Sequence, residues 1–498
     1  MLGRARGKRV HSQAALLRKL GRVTHYDIAL IGSGSVNSFP GPDLAGKRLV
    51  QIDRGVGPQR VFGGTCLNVG CIPTKMFVHT ANVAADAAGA DRFGLAPAQL
   101  RPDWPAIRDR IFGRIDPIAE GGEVYRRDHE DNANLTLLRG TARFTGPKQV
   151  EVELADGGTE QVSADVFVLG AGSRPSIPSI PGLREAQPHT SDTIMRLPEL
   201  PASLAILGSG VIAVEMAHVF ASLGVEVTMI ARSQRLLRAA DRDISERLTE
   251  LLAARVRVIT GFATERVERT AQGVTLHGTS EGNPAQLQAQ ELLVATGRQP
   301  NSDLLDCAAA GIDTDQAGRV VVDAYQRVRG HGQVLDGMWA LGDLSNPAQL
   351  KHVANHELRI VRHNILHPGE LRRSDTMPVP FGVFTSPQVA WVGPDEVAAR
   401  DRAQATGRQV RVAMQEYASI AYGWAMENTT GFLKLVVDAE TTEIVGAHLI
   451  GPEATTLIQV LVQAMSTGQT ARDIARSQYW IHPAMPELIE NALLQVID

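Results

Sequence analysis

Several features are scarce in this chain, and each scarcity excludes a class of protein. The 498 residues include only three cysteines, Cys66, Cys71 and Cys307. That number is too small for the disulfide framework of a secreted domain, and no set of Cys and His has the spacing of a structural zinc site. No apolar run reaches the roughly 18 residues that a membrane-spanning helix needs. The formal net charge is -4, so no global basic field attracts nucleic acid. We therefore expect a cytoplasmic protein without a metal, a nucleic-acid partner or a membrane anchor.

The segment 1–24 differs in composition from the rest of the chain. It is rich in Arg and Lys and contains no Asp or Glu, but it lacks the apolar core of a secretory signal. We expect a flexible N-terminal extension, and a targeting peptide is the alternative.

A glycine-rich turn follows the first strand pattern. The apolar stretch that ends at Ile31 leads directly into Gly32 and Gly34, an order typical of a dinucleotide site, where glycines let the backbone approach a pyrophosphate. A second strand pattern ends at Asp53, about 20 residues further on, where a carboxylate accepts hydrogen bonds from a ribose. Asn37 occupies the third fingerprint position and two prolines follow it, so we expect a short or irregular helix here. Taken alone, the pattern also fits an ordinary strand-to-helix turn.

A second copy of the pattern strengthens the first. Gly208 and Gly210 are followed by an amphipathic helix pattern and a strand pattern at 226–230, so the chain is expected to bind two nucleotides. An NAD site would place Asp or Glu directly after that strand, whereas this chain has Ala231, then Arg232 and, six residues later, Arg238. Two guanidinium groups without a carboxylate favour a 2′-phosphate, hence NADPH. The alternative is that these arginines only solvate a surface turn.

Two of the three cysteines lie five residues apart. Cys66 and Cys71 follow the first ribose position by about a dozen residues, with Gly70 and Pro73 nearby. A redox disulfide beside a flavin is the simplest interpretation, since cysteines at this spacing can be joined across a distorted helical turn in a small, reactive loop. Two inert thiols that are close only by chance are the alternative. No motif surrounds Cys307, which we expect to be buried and inert.

Several motifs together carry a family resemblance. The segment GGTCLNVGCIPTK, the two glycine fingerprints and the C-terminal HPAMPE resemble the pyridine nucleotide-disulfide oxidoreductases, as do VLGAGSRP, LLVATGRQPN, MWALGDL and VFTSPQVAWVG, in the family's order. The resemblance covers nearly everything from residue 25 to 498. It implies an α/β fold with two Rossmann-like dinucleotide-binding domains, for FAD and NADPH, plus an α+β C-terminal dimerisation domain.

The resemblance also implies domain boundaries. We expect the extension at 1–24 to be followed by the first part of an FAD-binding domain at 25–172 and an NADPH-binding domain at 173–297. The second part of the FAD-binding domain then occupies 298–373, and the dimerisation domain 374–498.

The same resemblance implies roles for a first group of residues. Cys66 is the thiol that attacks a substrate disulfide, and Cys71 is the thiol nearest the flavin. Lys75 and Glu215 match a pair near the flavin N5, where a lysine favours electron density on the ring and a carboxylate holds the lysine in place. The positions expected to contact the two cofactors are Gly32, Gly34, Asp53, Gly64, Thr65, Lys75, Asp343, Gly208, Gly210, Arg232, Arg238 and Gly297.

A histidine and a glutamate near the C-terminus form a candidate proton relay. His482 lies five residues before Glu487, at the start of a helix pattern, and imidazole titrates near neutral pH. In the family this dyad comes from the other subunit of a homodimer. A structural histidine is the alternative.

The resemblance to particular branches of the family narrows the choice of substrate. Arg232 and Arg238 disfavour the lipoamide branch, and the cysteine-free C-terminus disfavours branches with extra redox residues there. The segments HPAMPELIENALL, CIPTKMFV, LKHVANHE and AYGWAMEN are most similar to the branch that reduces mycothione, the disulfide of mycothiol. The chain is thus expected to be an NADPH-dependent flavoprotein that reduces mycothione through a Cys66–Cys71 disulfide. A glutathione-type or other low-molecular-weight disulfide, or a flavin redox sensor without turnover, remain alternatives.

Overall fold

The structure, a computed structural model, describes residues 23–98, 100–280 and 282–497. Apart from its last two residues, the predicted N-terminal extension therefore lies outside the described residues. The described chain divides into two compact units. The first consists of the residues up to Val69 with Arg114–Arg174 and Arg298–Asp375, and the second of Gly70–Gly113, Pro175–Gly297 and the residues from Thr376 onward. The predicted boundaries of the domains stay a prediction.

The strands of the described residues alternate with helices over most of the chain. In chain order the strands are β1 Thr24–Ile31, β2 Leu49–Asp53, β3 Leu135–Gly146, β4 Gln149–Leu154, β5 Thr159–Leu169, β6 Ser173–Pro175, β7 Ser203–Leu207, β8 Glu226–Ile230, β9 Arg257–Ile259, β10 Phe262–Thr270, β11 Gly273–Ser280, β12 Asn283–Ala289, β13 Glu291–Val294, β14 Arg298–Pro300, β15 Arg327–Gly330, β16 Gln333–Ala340, β17 Pro380–Val383, β18 Gln388–Val392, β19 Val410–Glu416, β20 Phe432–Asp438 and β21 Ile444–Gly451. The α-helices are α1 Gly64–Asn68, α2 Cys71–Ala88, α3 Trp104–Asp128, α4 Val211–Ser222, α5 Arg242–Ala253, α6 Lys351–Leu366, α7 Glu396–Ala405, α8 Ala421–Ala425, α9 Ala454–Thr467, α10 Ala471–Arg476 and α11 Glu487–Ile497.

The first unit is built on one mixed sheet. Strand β1 pairs in parallel with β2 on one side and with β5 on the other, and β2 continues to β3 and β5 to β16, all in parallel. Every residue of β2 is buried, as expected for a central parallel strand whose two faces are both covered. The register pairs Ile31 with Ile52, and the Gly32 N–H donates to the Ile52 carbonyl over 2.8 Å. The carboxyl ends of β1, β2 and β16 therefore meet at one edge of the sheet.

The second unit repeats this arrangement in a smaller sheet. Strands β13, β7, β8 and β9 pair in parallel in that order, and Leu207 is in register with Ile230. The Gly208 N–H donates to the Ile230 carbonyl over 3.0 Å, which is the counterpart of the bond made by Gly32. Strands β10 to β12 form a separate antiparallel sheet.

The C-terminal part of the second unit is an antiparallel sheet covered by helices. Its strand order is β17-β18-β21-β20-β19, and one apolar core joins it to α9, α10 and α11. An alternating apolar pattern at 431–437 of the sequence falls in β20, and a helical pattern at 454–465 falls in α9. The predicted fold class, two dinucleotide-binding folds plus an α+β domain, is confirmed.

No helix in the described part of the chain is both long and apolar enough to cross a bilayer.

Candidate active site and cofactor sites

The first glycine turn is shaped by close backbone contacts within the first unit. Gly32 has a φ of +109°, and a Cβ there would lie 2.4 Å from a backbone carbonyl oxygen. A Cβ on Gly64 would lie 2.6 Å from the Gly34 Cα, and the Gly63 N–H donates to the Ser33 hydroxyl over 2.8 Å. A Cβ on Gly34 itself would meet no protein atom within 4 Å. The start of α1, with Thr65, is thus packed on the turn, and open space remains beside Gly34 for an anion.

The segment after this turn is irregular, as predicted. Two 3-10 turns, Ser35–Ser38 and Pro42–Leu44, replace a regular crossover helix. Arg126 of α3 secures the first of them, because its guanidinium donates to the Asn37 carbonyl over 2.5 Å and to the Asn37 side-chain oxygen over 3.2 Å. Gln51 donates to the same side-chain oxygen over 3.3 Å. The Asn37 departure from the fingerprint is therefore matched by a buried partner that the sequence analysis missed.

Helix α6 adds a positive charge beside the same turn. The Lys351 ammonium donates to the Ser35 hydroxyl over 3.0 Å, and that hydroxyl donates to the Asn355 side chain, also over 3.0 Å. Further along the helix, the Arg362 guanidinium donates to the Phe39 carbonyl over 2.8 Å. One face of α6 thus holds the irregular segment and places an ammonium next to the residue after Gly34.

Asp53 lies at the end of β2 and is buried. Its carboxylate accepts a hydrogen bond from Arg139 over 2.5 Å and one from the Gly55 N–H over 3.0 Å. Burial raises the pKa of Asp53, and the charge of Arg139 opposes that rise. The carboxylate is therefore fixed at the sheet edge where Gly32 lies, which is the position expected for a ribose contact.

Asp343 lies at the same edge, directly after β16. It accepts a hydrogen bond from the Ser173 hydroxyl over 2.6 Å, and Arg298 approaches it to 3.9 Å. The preceding turn is held by Glu357 of α6, which accepts from the Gly342 N–H over 2.7 Å. Open space at a glycine turn, a neighbouring ammonium and two fixed carboxylates at one sheet edge fit a flavin dinucleotide.

The second glycine turn is regular. Gly208 has a φ of +144°, and a Cβ there would lie 2.3 Å from the Ala295 carbonyl oxygen, whereas a Cβ on Gly210 would meet nothing within 4 Å. Helix α4 begins directly after it at Val211. Gly297, with a φ of +125° and equally open surroundings, follows β13, which is parallel to β7. These glycines leave room at one sheet edge for a second dinucleotide.

The loop after β8 returns to the second turn. The Leu237 N–H donates to the Ser209 carbonyl over 2.7 Å, and the hydroxyls of Ser209 and Ser233 lie 3.3 Å apart. Arg232 and Arg238 are exposed on this loop. Two exposed guanidinium groups on a loop bonded to the turn fit a phosphorylated ribose.

A buried carboxylate and a lysine form a further cluster within the second unit. Glu215 of α4 accepts a hydrogen bond from the Phe384 N–H over 2.8 Å, and the Lys75 ammonium lies 4.0 Å from the centroid of the Phe384 ring. Burial raises the pKa of Glu215 to about 7. The hydrogen bond from the Phe384 N–H and the charge of Lys75 lower this pKa, whereas a negative charge on Cys71 raises it further. Partial burial of the amine lowers the pKa of Lys75, against the effect of Glu215. The structure thus brings Cys71, Lys75 and Glu215 within electrostatic reach, and Phe384 is the contact residue that the sequence analysis missed.

The three cysteines differ in their surroundings. Cys66 is half-buried in α1 and Cys71 is exposed as the first residue of α2. Cys307 is buried without a disulfide, and burial raises its pKa to about 12. A thiol with that pKa is not a nucleophile near neutral pH.

The histidine and glutamate near the C-terminus are hydrogen-bonded to each other. The Nδ1 of His482 contacts the Oε1 of Glu487, the first residue of α11. The carboxylate accepts, so the proton lies on Nδ1 and leaves Nε2 to exchange protons. The His482 side chain is 69% exposed, and Tyr479 and Ile481 beside it are exposed large apolar side chains.

The fold and these sites define a class of protein. Each of the two glycine turns lies at the carboxyl ends of parallel strands in its own sheet, and a thiol lies beside a buried carboxylate and a lysine. These are features of an oxidoreductase that binds two dinucleotides. Residues 26–357 match the model of the pyridine nucleotide-disulphide oxidoreductase family, and residues 379–493 match that family's dimerisation domain. The chain belongs to this family and is a flavin-dependent pyridine nucleotide-disulfide oxidoreductase, with FAD and NAD(P)H as its cofactors.

Similar proteins cover almost the whole chain. The chain is 46% identical to the mycothione reductase of Mycobacterium tuberculosis, over 94% of this chain and 99% of that protein. It is 30% identical to the mercuric reductase of Staphylococcus aureus, over 91% of this chain and 79% of that protein. A solved structure of the HOCl-induced flavoprotein disulfide reductase RclA from Escherichia coli, as a Cu(II) complex, matches with a TM-score of 0.81 and 27% identity and covers 95% of this chain and 100% of that one.

Proposed function

We propose that this chain is an NADPH-dependent reductase of mycothione that acts as a homodimer in the cytoplasm. The observation that carries the proposal is the 46% identity to a mycothione reductase over 94% of this chain, since none of the other relatives described above reaches that level. The domain boundaries at 172, 297 and 373 and the individual roles below are parts of the same proposal.

The preference for NADPH is supported by the loop after β8. Arg232 and Arg238 are both exposed, and no carboxylate occupies the position of Ala231. A guanidinium fork matches the geometry and charge of a phosphate, whereas an NAD site needs an acceptor for a ribose hydroxyl. The same loop is hydrogen-bonded to the turn of Gly208 and Gly210, which are the residues proposed to approach the pyrophosphate, with Gly297 across the sheet edge.

The disulfide chemistry is assigned to Cys66 and Cys71. When bound, NADPH and FAD together supply the two electrons that open the Cys66–Cys71 disulfide. The Cys66 thiolate then attacks one sulfur of mycothione, forming a mixed disulfide and expelling one mycothiol as its thiolate. The Cys71 thiolate attacks Cys66, which releases the second mycothiol as a thiolate that takes a proton from solvent, and restores the disulfide.

His482 is proposed to make the two other proton transfers in these steps. Its Nε2 accepts the proton of the Cys66 thiol and returns it to the departing thiolate, while Glu487 fixes the tautomer and stabilises the imidazolium. The exposure of His482, and of the large apolar side chains of Tyr479 and Ile481 just before it in the chain, supports a dyad that completes the site of the partner subunit.

Lys75 and Glu215 are proposed to act at the flavin ring. The Lys75 charge favours electron density there, and Glu215, held by the Phe384 N–H, keeps a carboxyl group within electrostatic reach of both Lys75 and Cys71. Gly32, Gly34, Gly64, Thr65, Asp53 and Asp343 of the first unit are proposed to hold FAD.

The test is the pair of variants Cys66→Ser and Cys307→Ala. Both should bind FAD, because neither side chain belongs to the proposed flavin contacts. With mycothione and excess NADPH, Cys307→Ala is expected to turn over like the unaltered protein, and Cys66→Ser is expected to show no turnover. Sustained turnover by Cys66→Ser would contradict the assignment. If the unaltered protein oxidises only one equivalent of NADPH, the chain is a redox sensor and not a reductase.

A further inference from the structure

His218 is a buried histidine in helix α4 that the proposed reaction does not use. It is completely buried. Its Nε2 lies 2.7 Å from the Asn82 side-chain oxygen, and its Nδ1 lies 3.2 Å from a terminal nitrogen of Arg255. A guanidinium can only donate, so Nδ1 accepts and the ring proton lies on Nε2, where it is donated to Asn82. The ring is therefore held as a single neutral tautomer, in keeping with burial that lowers the pKa of His218 to about 3.

Arg255 extends this network to a third segment of the chain. Its Nη1 donates to the Ser386 carbonyl over 2.8 Å, and its Nη2 donates to the Ser222 hydroxyl over 2.9 Å. Asn82 lies in α2, His218 in α4, and Arg255 directly follows α5. The network therefore joins α2, α4 and the segment around Ser386, all within the second unit.

The same three segments carry the Lys75 cluster. Asn82 is seven residues after Lys75 in α2, which puts it two turns away on the same face, and His218 is one turn after Glu215 in α4. Ser386 is two residues after Phe384, whose N–H and ring contact Glu215 and Lys75. Lys75, Glu215 and Phe384 therefore each lie within two helical turns, or two residues, of a residue that belongs to the His218 network or is hydrogen-bonded to it.

We propose that His218, together with Asn82 and Arg255, is a positioning residue that sets the geometry of Lys75, Glu215 and Phe384 and through it the reduction potential of the bound flavin. The inference rests on the proposed function, in which Lys75 and Glu215 act at the flavin. A purely structural role for the network would change the stability of the protein and leave the potential where it is.

The test separates these two roles with substitutions at Asn82. Asn82→Leu has a similar size but removes the acceptor, whereas Asn82→Gln keeps a neutral amide oxygen as an acceptor for the Nε2 proton. Val83→Ala, at an exposed neighbouring position of the same helix, is the matched control. The two-electron potential of the bound flavin is measured against reference dyes, and thermal unfolding of the same samples is recorded.

We expect Asn82→Leu to lower the equilibrium constant for reduction of the flavin about tenfold, which corresponds to about 30 mV toward negative potential. Asn82→Gln and Val83→Ala are expected to keep the original potential. If Asn82→Leu keeps the original potential and is only less stable, the inference is wrong. Should Asn82→Leu fail to accumulate with FAD, Arg255→Lys, which keeps the charge but not the forked donors, is measured with the same two outcomes.

A further variant, Lys75→Met, distinguishes a failure of this inference from a failure of the proposed function. A shift in Lys75→Met without a shift in Asn82→Leu overturns the inference alone. No shift in Lys75→Met overturns the role of Lys75 at the flavin, and with it the reason for positioning that residue.

Discussion

The two glycine turns have the same sequence pattern, but the chain secures them differently. After Gly210 a regular helix, α4, begins at once, and its backbone supplies the amide groups and dipole that favour a phosphate. After Gly34 there are only two short 3-10 turns. Side chains from distant parts of the chain, Arg126 of α3 and Lys351 of α6, hold that segment and supply positive charge. A dinucleotide fold can thus lose its first crossover helix if other elements provide the hydrogen bonds and charge.

The largest effect is expected when the support of the first turn is removed. Arg126→Met leaves the Asn37 oxygens and the Asn132 side-chain oxygen without their charged donor. We expect a loss of about 3 kcal/mol in the free energy of unfolding, together with loss of bound FAD. Denaturant unfolding and the flavin absorbance of the purified protein measure both. Arg127→Met, next to it but exposed and paired with Asp128 and the half-buried Glu123, is the control and should change neither.

The next largest effect concerns the second turn. Arg232→Gln combined with Arg238→Gln removes both candidate phosphate donors, and we expect KM for NADPH to rise about 100-fold while KM for NADH stays nearly constant. Steady-state kinetics with the two coenzymes give the ratio directly. An equal loss for NADPH and NADH would mean that these arginines do not recognise the 2′-phosphate.

A smaller effect is expected from alanine substitutions at the equivalent glycines of the two turns, which should distinguish FAD binding from NADPH binding. Gly34 and Gly210 have negative φ values of -72° and -87° and open space beside them, so alanine at either position should leave the free energy of unfolding unchanged. A methyl group at the point of closest approach should still cost about one hydrogen bond to a pyrophosphate, or about tenfold in affinity. We expect Gly34→Ala to weaken FAD binding alone and Gly210→Ala to weaken NADPH binding alone, as measured by titration. A crossed result would mean that the two turns serve the opposite cofactors.

The smallest effect is a pH dependence that arises in the second unit. Burial raises the pKa of Glu215 from 4.5 to about 7, so the folded protein holds a proton that the unfolded chain releases. The stability due to this group is therefore present below about pH 4.5 and is lost as the pH rises toward 7. We expect Glu215→Gln to reduce the fall in unfolding free energy between pH 6 and 7 by about 1 kcal/mol. Glu440→Gln, an exposed position, should reproduce the original pH profile.

The sequence was sufficient to predict features that depend on local pattern. The positions of β1, β2 and β8, the irregular segment after Gly34 and the helix start at Glu487 all follow from glycines, prolines and short apolar runs. Each of these signals lies within a few residues of the structure that it specifies.

The contacts that the sequence did not reveal connect residues far apart in the chain. Arg126 is 89 positions from Asn37 and Asn82 is 136 positions from His218. Phe384 was part of a recognised motif, yet its N–H and ring reach Glu215 and Lys75 only because the chain folds that way. A buried His or Arg looks like any other in the sequence, since its partner is set by tertiary packing and not by spacing.

The most direct test of the proposed function is NADPH oxidation by the purified FAD-bound protein with mycothione and, in parallel, with glutathione disulfide. We predict sustained turnover with mycothione and little with glutathione disulfide. A preference for glutathione disulfide, or no turnover with either disulfide, would contradict the proposed function.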